Sequence, residues 1–436
     1  MSSVIKNQED ILKKLGIKKL NPMQEEARLA IPTSAEVVLL SPTGTGKTLA
    51  FLLPIIAELE NDCDEIQAMI IVPSRELAIQ IEQVAREMGT GFKVNAVYGG
   101  RPFSKDKIEL SHPPAILIGT PGRVADHLRR ETFSTKRIRI FVLDEFDKSL
   151  EIGFESEMIE ITDALYKVRK KILTSATHEV TIPPFIGLQN PIYINYSEDG
   201  IKQLKIKTIL SPTKDKLETL IDALCHLGNK PGIIFCNFKD SIQRVSDCLT
   251  KNNISHGCFF GGLEQIERER ALIKFRNGTH QLLIATDLAS RGIDVPEIKF
   301  IIHYHLPNRS QEFTHRNGRT ARMNADGTAF ILKWEKEDLP EFIGQNKIEK
   351  ILPAGLPKPS IWKTLFVSGG RKDKISKGDI AGMFFKQGNL EKNELGIIEL
   401  KQDCAFAAVP ATKVDELIGK LNNTKLKKRK IRVYAI

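Results

Sequence analysis

Short apolar runs of three to six residues alternate with longer amphipathic stretches, and the series is run through twice. Val37–Leu40, Met69–Val72, Ala115–Ile118, Ile140–Leu143 and Lys171–Leu173 make up the first series, and Gly232–Cys236, Gln281–Ala285, Phe300–His303 and Asp326–Ile331 the second. Runs so short and so continuously apolar suit strands buried on both faces, as in a parallel sheet covered by crossover helices. The expectation is an α/β protein with two tandem parallel sheets, joined near Gln203–Lys214. A chain of 436 residues is too long for one core and suits two or three domains.

After the second series, Leu352–Pro359 gathers three prolines and a glycine, so 346–361 reads as a linker. Beyond it, KTLFVSGG, a helix capped by Ser376 and running to Lys386, LGIIEL, CAFAAV, a helix from about Thr412 to Leu421, and KIRVYAI follow in the order βαββαβ. That order is the split-βαβ plan of RRM-like domains. The expected domains are therefore 1–205, 206–345 and 362–436.

Charge sharpens this division. The net charge is +10, yet 362–436 alone carries 16 Lys and Arg against 8 Asp and Glu, leaving 48 against 46 in 1–361. Concentrated on a folded segment, such an excess favours phosphate contact. The cysteines at 63, 225, 236, 248, 258 and 404 include no CxxC pair of the kind zinc or redox sites use, and read as reduced core thiols. With no long apolar span and no secretory-type start, the expectation is a cytoplasmic protein that does not engage membranes.

SPTGTGKT at Ser41–Thr48 lies between the apolar run VVLL and the apolar stretch Leu49–Ile56. This is the setting of a P-loop. Its backbone N–H groups, from Ser41, Thr43, Gly44, Thr45 and Gly46 onward, can turn toward phosphate. Lys47 can reach the β/γ oxygens and Thr48 can hold magnesium. Ser41 stands where the strict pattern has glycine. Asp144 follows the run IFVL, where an acid can organise a magnesium shell, and Glu145 can position or deprotonate an attacking water. ATP and Mg2+ are the expected cofactors.

Across 21–322 the ordered set NPMQ, SPTGTGKT, PSRELAIQ, GG, TPGR, DEFD, SAT, IIFCN, ATDLASRGID and HRNGRTAR resembles the DEAD-box RNA helicases of superfamily 2. The resemblance implies two RecA-like domains and an RNA-dependent ATPase that locally unwinds RNA. It makes Gln24 the adenine-reading glutamine, puts Asp287 and Asp294 in the nucleotide cleft, and makes Arg319 and Arg322 the fingers that reach ATP. Asp147, Ser175, Thr177, His315 and Arg316 become residues coupling the sites. Arg75, Gly99, Gly100, Thr120 and Arg123 match backbone-contacting RNA motifs in the first domain, as do Gln265, Arg268, Thr286 and Arg291 in the second. Two departures stand out. Asn7 occupies the position of an adenine-stacking aromatic, and Phe146 replaces alanine in DEFD, directed either into packing behind the loop or toward the cleft.

The last 75 residues resemble the RNA-binding appendage of DbpA-type bacterial DEAD-box proteins. That resemblance implies a hairpin of large-subunit ribosomal RNA, or a pre-ribosomal large subunit, as partner of a monomeric protein. The RNP1-like strand offers only Phe406 for stacking, so contacts are expected from Arg371, Lys372, Lys374, Lys377 and the run Lys425–Lys430, including Lys427 and Lys428. Two rival readings are a DNA-directed translocase of the same superfamily, disfavoured by the RRM-like tail, and a non-catalytic RNA-binding scaffold, disfavoured by Lys47, Asp144, Glu145, Arg319 and Arg322.

Overall fold

The apolar runs of the first series become strands of one parallel sheet. The computed structural model describes residues 7–151, 153–176, 181–197, 204–287, 298–320 and 327–436, which fall into two units, 7–197 and 204–436. The strands of the first unit are β1 (Glu36–Leu40), β2 (Ala68–Ile71), β3 (Val94–Val97), β4 (Ile116–Gly119), β5 (Ile140–Leu143), β6 (Lys170–Ser175) and β7 (Ile192–Asn195), in the order β3-β4-β2-β5-β6-β1-β7. Side chains alternate faces along a strand, so each strand feeds two cores. On β2, Ala68 and Ile70 join Phe51 and Ile81 in one cluster, while Met69 and Ile71 join Phe141 and Met158 in the other. Two strands escape the hydrophobic pattern. The β3 run VNAV is broken by Asn95, and β7 is an edge strand whose Ile192 and Tyr193 are exposed.

The second unit repeats the plan with β8 (Leu204–Ser211), β9 (Gly232–Phe235), β10 (His256–Phe259), β11 (Leu282–Ala285), β12 (Phe300–His303), β13 (Gly327–Trp334) and β14 (Lys347–Ile348), ordered β10-β11-β9-β12-β13-β8-β14. Here the structure corrects the reading of Gln203–Lys214 as a join. Most of it is β8, paired along its whole length with β13. Lys205 and Lys207 disguise this strand, because one flank is solvated and Lys207 pairs with Glu349 at 2.7 Å. The 346–361 stretch is likewise no loose tether. β14 extends the sheet beside β8, and Leu352 donates its N–H to His226 Nδ1 at 3.2 Å.

The basic end folds as expected into β15 (Trp362–Val367), helix Lys377–Lys386, β16 (Ile398–Leu400), β17 (Ala405–Pro410), helix Val414–Leu421, a hairpin of β18 (Lys425–Leu426) and β19 (Arg429–Lys430), and β20 (Val433–Ala435). The antiparallel order is β16-β17-β15-β20. Ser376 caps the first helix in a capping box with Asp379. Both helices pack on one sheet face, with Ile380, Phe384, Leu417 and Leu421 against Leu365, Val367, Ala407 and Val433.

Among the described residues no helix is long and apolar enough to cross a membrane. All six cysteines are free, and burial pushes the Cys236 thiol up to about 12, which suits core filling.

Candidate functional site

In a parallel α/β sheet, ligands gather at the carboxyl ends of the strands, and strand order decides what gathers with what. In the first unit the neighbours β1, β6 and β5 end in the P-loop, Ser175 and Asp144. The adjoining set β2, β4 and β3 leads into Arg75, Thr120 and Gly99. One sheet edge therefore brings the residues expected to bind phosphate beside those expected to contact an RNA strand.

The P-loop turns on two glycines with left-handed backbone, Gly44 (φ 83°) and Gly46 (φ 87°). A side chain at Gly46 would also collide with Gln24, whose Nε2 lies 2.3 Å from where a Cβ would stand. Ser41 Oγ donates to Thr45 Oγ1 at 2.8 Å, and the buried Lys47 ammonium donates to the carbonyls of Ser41 (2.5 Å) and Pro42 (3.0 Å). Thr43 is buried beside them, and Thr48 follows Lys47 in the first turn of helix Lys47–Glu58. Gln24 sits at the third position of helix Pro22–Thr33. Its Oε1 accepts from Asn21 N–H at 3.0 Å and its Nε2 donates to Gly46 O at 3.2 Å, so capping and loop contact fix one amide plane. Asn7 caps helix Gln8–Leu15 by accepting from Glu9 N–H at 2.9 Å, a task an aromatic cannot perform.

Asp144 is buried, and burial, followed by the neighbouring Glu145 charge, pushes its carboxyl up to about 6. Two influences hold it down: a hydrogen bond from Thr174 and the Lys47 charge. Thr174 also accepts from Glu145 N–H at 3.2 Å, and so fixes both acids. Glu145 has a left-handed backbone (φ 49°), a strained state for a residue with a Cβ. Sequence reasoning missed Thr174. Its signal was a hydroxyl directly after the apolar pair Ile172–Leu173 of KKILTS. Phe146 resolves in favour of packing, buried among the Leu143, Met158 and Ile161 cluster. Asp147 is buried with Lys148 Nζ at 3.8 Å, and Ser175 is buried with its carbonyl accepting from Ser41 N–H at 3.0 Å. Asp144 and the Thr48 hydroxyl are hard-oxygen donors of the kind a partly hydrated divalent cation takes.

The strand-contacting motifs converge as well. Arg75 lies over the Gly99–Gly100 turn. A Cβ at Gly100 (φ 87°) would stand 2.3 Å from its Nη1, so only glycine fits beneath that guanidinium. Thr120 begins helix Pro121–Arg129, and Arg123 donates to the carbonyls of Tyr98 (3.1 Å) and Arg101. Behind them the fully buried Asp106 carboxylate faces Arg101 Nε at 2.5 Å, Arg123 Nε at 3.5 Å and His127 Nε2 at 3.3 Å. Arg123 therefore holds the loop that presents Gly99 and Gly100, a positioning task invisible in the motif TPGR alone.

In the second unit Arg316 is buried and paired with Asp287 through Nε (2.5 Å) and Nη2. It also donates to His305 O (2.6 Å) and Asn237 Oδ1 (2.8 Å). One side chain thereby ties together the ends of β11, β12 and β9. His315 and Arg319 are buried near it, and Thr286 donates its N–H to Phe259 O at 3.3 Å. Gln265 opens helix Gln265–Arg276, and Arg268 is buried with its guanidinium 5.2 Å from the Phe259 ring. Thr177, Arg291, Asp294 and Arg322 lie outside the described residues.

At the basic end, two segments some fifty residues apart meet. Lys427 pairs with Asp379 at 2.7 Å and donates to Lys374 O, while Arg429 pairs with Asp373. The Lys427 hydrogen bond holds the Asp379 carboxyl down to about 2. Lys372, Lys374, Lys377, Lys427 and Lys428 are exposed and Arg371 half-buried, giving one basic rim.

Comparison with known proteins agrees with this geometry. Residues 21–183 match the DEAD/DEAH box helicase family, 215–324 the helicase conserved C-terminal domain and 364–434 the DbpA RNA binding domain. The chain is 30% identical to the ATP-dependent RNA helicase DbpA of Bacillus subtilis, covering 97% of this chain and 96% of that one. It is 29% identical to the Escherichia coli protein of the same name, covering 98% and 96%. Among solved structures, Saccharomyces cerevisiae Dbp5 bound to RNA and ADP BeF3 is similar with a TM-score of 0.68 and 27% identity, over 75% of this chain and 88% of that one.

Proposed function

The chain belongs to the DEAD-box family of ATP-dependent RNA helicases, which are RNA-stimulated ATPases, and from that premise we propose that it remodels structured RNA of the large ribosomal subunit. In this reading 362–436 selects the RNA while 1–205 and 206–345 do the mechanical work, within a cytoplasmic monomer. The observation that carries it is the match of 364–434 to the DbpA RNA binding domain, on a segment whose cations converge on one rim.

ATP occupies the P-loop, with Lys47 turning from the loop carbonyls to the phosphates and Gln24 presenting its fixed amide to adenine. Thr48 and Asp144 would hold magnesium, which when bound would supply charge neutralisation at the phosphate oxygens. Glu145 orients the attacking water and accepts its proton, held in place from behind by Thr174. Arg319 and Arg322 bring guanidinium charge to the transferring phosphoryl group, and the bidentate Arg316–Asp287 pair keeps the helix end that leads to Arg319 in position. Arg75, Gly99, Gly100 and Thr120, with Gln265, Arg268, Thr286 and Arg291, grip the sugar-phosphate backbone without reading bases.

The test compares full-length protein with a truncation ending at Ser360, on a large-subunit ribosomal RNA fragment and on a generic duplex, over a salt series. Full-length protein should prefer the ribosomal fragment. The truncation should lose that preference and show a shallower dependence of affinity on salt, because fewer phosphate contacts release fewer counterions. Equal preference in both would assign selection to the helicase domains instead.

A further inference from the structure

The open face of the RRM-like sheet, the one opposite its helices, is where a domain of this plan ordinarily stacks bases on aromatic rings. Strand register puts Glu399, Phe406, Phe366 and Tyr434 in one row across that face, with Thr364 and Ala408 in the next. With Trp362, two residues before Thr364 on the same strand face, it therefore carries four aromatics rather than the single Phe406 visible in the RNP1-like strand. Phe366 lies 4.7 Å from Tyr434 in a stack and 5.6 Å from Phe406 edge-on.

Within the second unit this face is already engaged. Arg276, the last residue of helix Gln265–Arg276, grips Glu399 through two hydrogen bonds of 2.6 and 2.8 Å. Thr364 is fully buried, with Asn277 Nδ2 at 2.8 Å and Thr279 Oγ1 at 2.7 Å. Ser360 donates to Gly278 O at 2.5 Å, and Trp362 Cδ1 lies 3.5 Å from where a Cβ on Gly278 would stand, an ordinary packing contact. Phe406 is only 6% exposed, whereas Phe366 is half-buried and Tyr434, on the edge strand, is exposed. A threonine hydroxyl and a carboxylate on an open sheet face would ordinarily face water. Here both are satisfied by partners from one turn of the helicase domain, and such matched burial marks an interface rather than incidental proximity.

We propose that the Thr364, Glu399 and Phe406 part of this sheet face is a docking surface for the Arg276–Thr279 turn of the same chain, so that the RNA-binding domain travels with helicase domain 2 as one body. Helix Gln265–Arg276 then has a contact at each end. Gln265 and Arg268 lie toward the gripped strand, and Arg276 holds the appendage about 16 Å away by helical rise. The basic rim of Arg371–Lys377 and Lys427–Lys428 is thereby set at a fixed offset from the strand-gripping site. Arg276 and Glu399 are positioning residues that determine how far from an anchored RNA element the helicase domains act. This deepens the RNA-selecting role given above to 362–436, and its test stands apart from ribosomal specificity.

The experiment uses full-length protein with spin labels at the exposed positions Lys251 and Lys420. The expected result is one narrow distance in the wild type, broadening in Arg276→Glu, in Glu399→Arg and in the isosteric Thr364→Val, and narrowing again in the Arg276→Glu/Glu399→Arg double variant. A broad distribution in the wild type, or no broadening in any single variant, overturns the proposal. The second readout is affinity for poly(U). In otherwise wild-type protein, Phe406→Ala, at the covered ring, should change it by less than about twofold, whereas a ring used for stacking would lose about tenfold or more. A loss of that size refutes the closed face. If the ribosomal reading alone is wrong, the wild type will show no preference for the ribosomal fragment over poly(U) while its label distance stays narrow.

Discussion

Asp144 and Glu145 are adjacent in sequence but have separable roles, and Thr174 is what separates them. It donates to the Asp144 carboxylate and accepts from the Glu145 backbone, so one acid is held for the cation while the other keeps a free carboxylate on a strained backbone. Lys47 is anchored differently, by loop carbonyls it can exchange for phosphate. Substitutions should therefore divide binding from chemistry. Lys47→Ala should weaken ATP binding by tenfold or more, the loss expected of a charged hydrogen bond (~1.5–3 kcal/mol). Glu145→Gln should bind ATP normally and hydrolyse it at least a hundredfold more slowly, at the lower end of the ~10²–10⁴ range for a positioned base. Nucleotide titration and single-turnover hydrolysis measure the two effects. Wild-type hydrolysis by the Gln variant would remove Glu145 from the mechanism. At this scale the sequence was most readable, since a P-loop is local and its residues are adjacent. Asp106 and Thr174 were not readable, because their partners come from other strands and loops.

The central elements of the second sheet store a pH dependence that no motif announces. His303, on β12, is fully buried between Phe235 and Phe313 with Nε2 at 2.9 Å from Asn317 Oδ1, and burial, followed by the Arg316 charge, drops its pKa to about 3. His280 and His305 are lowered to about 4, again chiefly by burial. The sign follows from protonation. The unfolded chain takes up protons below about 6.5 while native His303 stays neutral, so its stabilising contribution is full above that pH and is lost as pH falls toward 3. At pH 5 the loss from His303 alone is about 2 kcal/mol. His303→Asn should flatten the stability curve of the second unit between pH 7 and 5, as followed by denaturant unfolding. An unchanged slope would mean that the imidazole is solvated. Element recognition failed for related reasons. β8 was hidden by Lys205 and Lys207, which lie on a solvated flank, and β10 by its half-buried His256 and Cys258.

For the whole molecule, the proposed chemistry requires groups from both helicase domains, which the P-loop alone cannot supply. Arg319→Ala should accordingly leave ATP binding within about twofold and lower RNA-stimulated turnover by at least an order of magnitude, a floor set below the ~10³–10⁵ that arginine fingers supply. Steady-state ATPase with saturating RNA checks this, and undiminished turnover would place Arg319 outside the reaction. Charge belongs to this scale too. The helicase domains are nearly balanced while the last 75 residues hold most of the excess, so long-range attraction to RNA is expected from the appendage and backbone grip from the strand ends.

By itself the sequence determined the two parallel sheets, the P-loop, the acid pair and the βαββαβ end, because each is written in near-neighbour patterns of apolarity, glycine and charge. Tertiary structure decided what those patterns could not express. Strand order brought the residues expected to bind phosphate beside those expected to contact an RNA strand, and burial turned Phe146 into the core. The turn at Arg276–Thr279 covered part of a sheet face that, read along β17 alone, offered only Phe406 to RNA. The physical reason is that a hydrogen bond or a buried face is completed by a residue from another element, 30 positions away for Thr174 and Asp144 and 123 for Arg276 and Glu399, and only the folded chain brings them together.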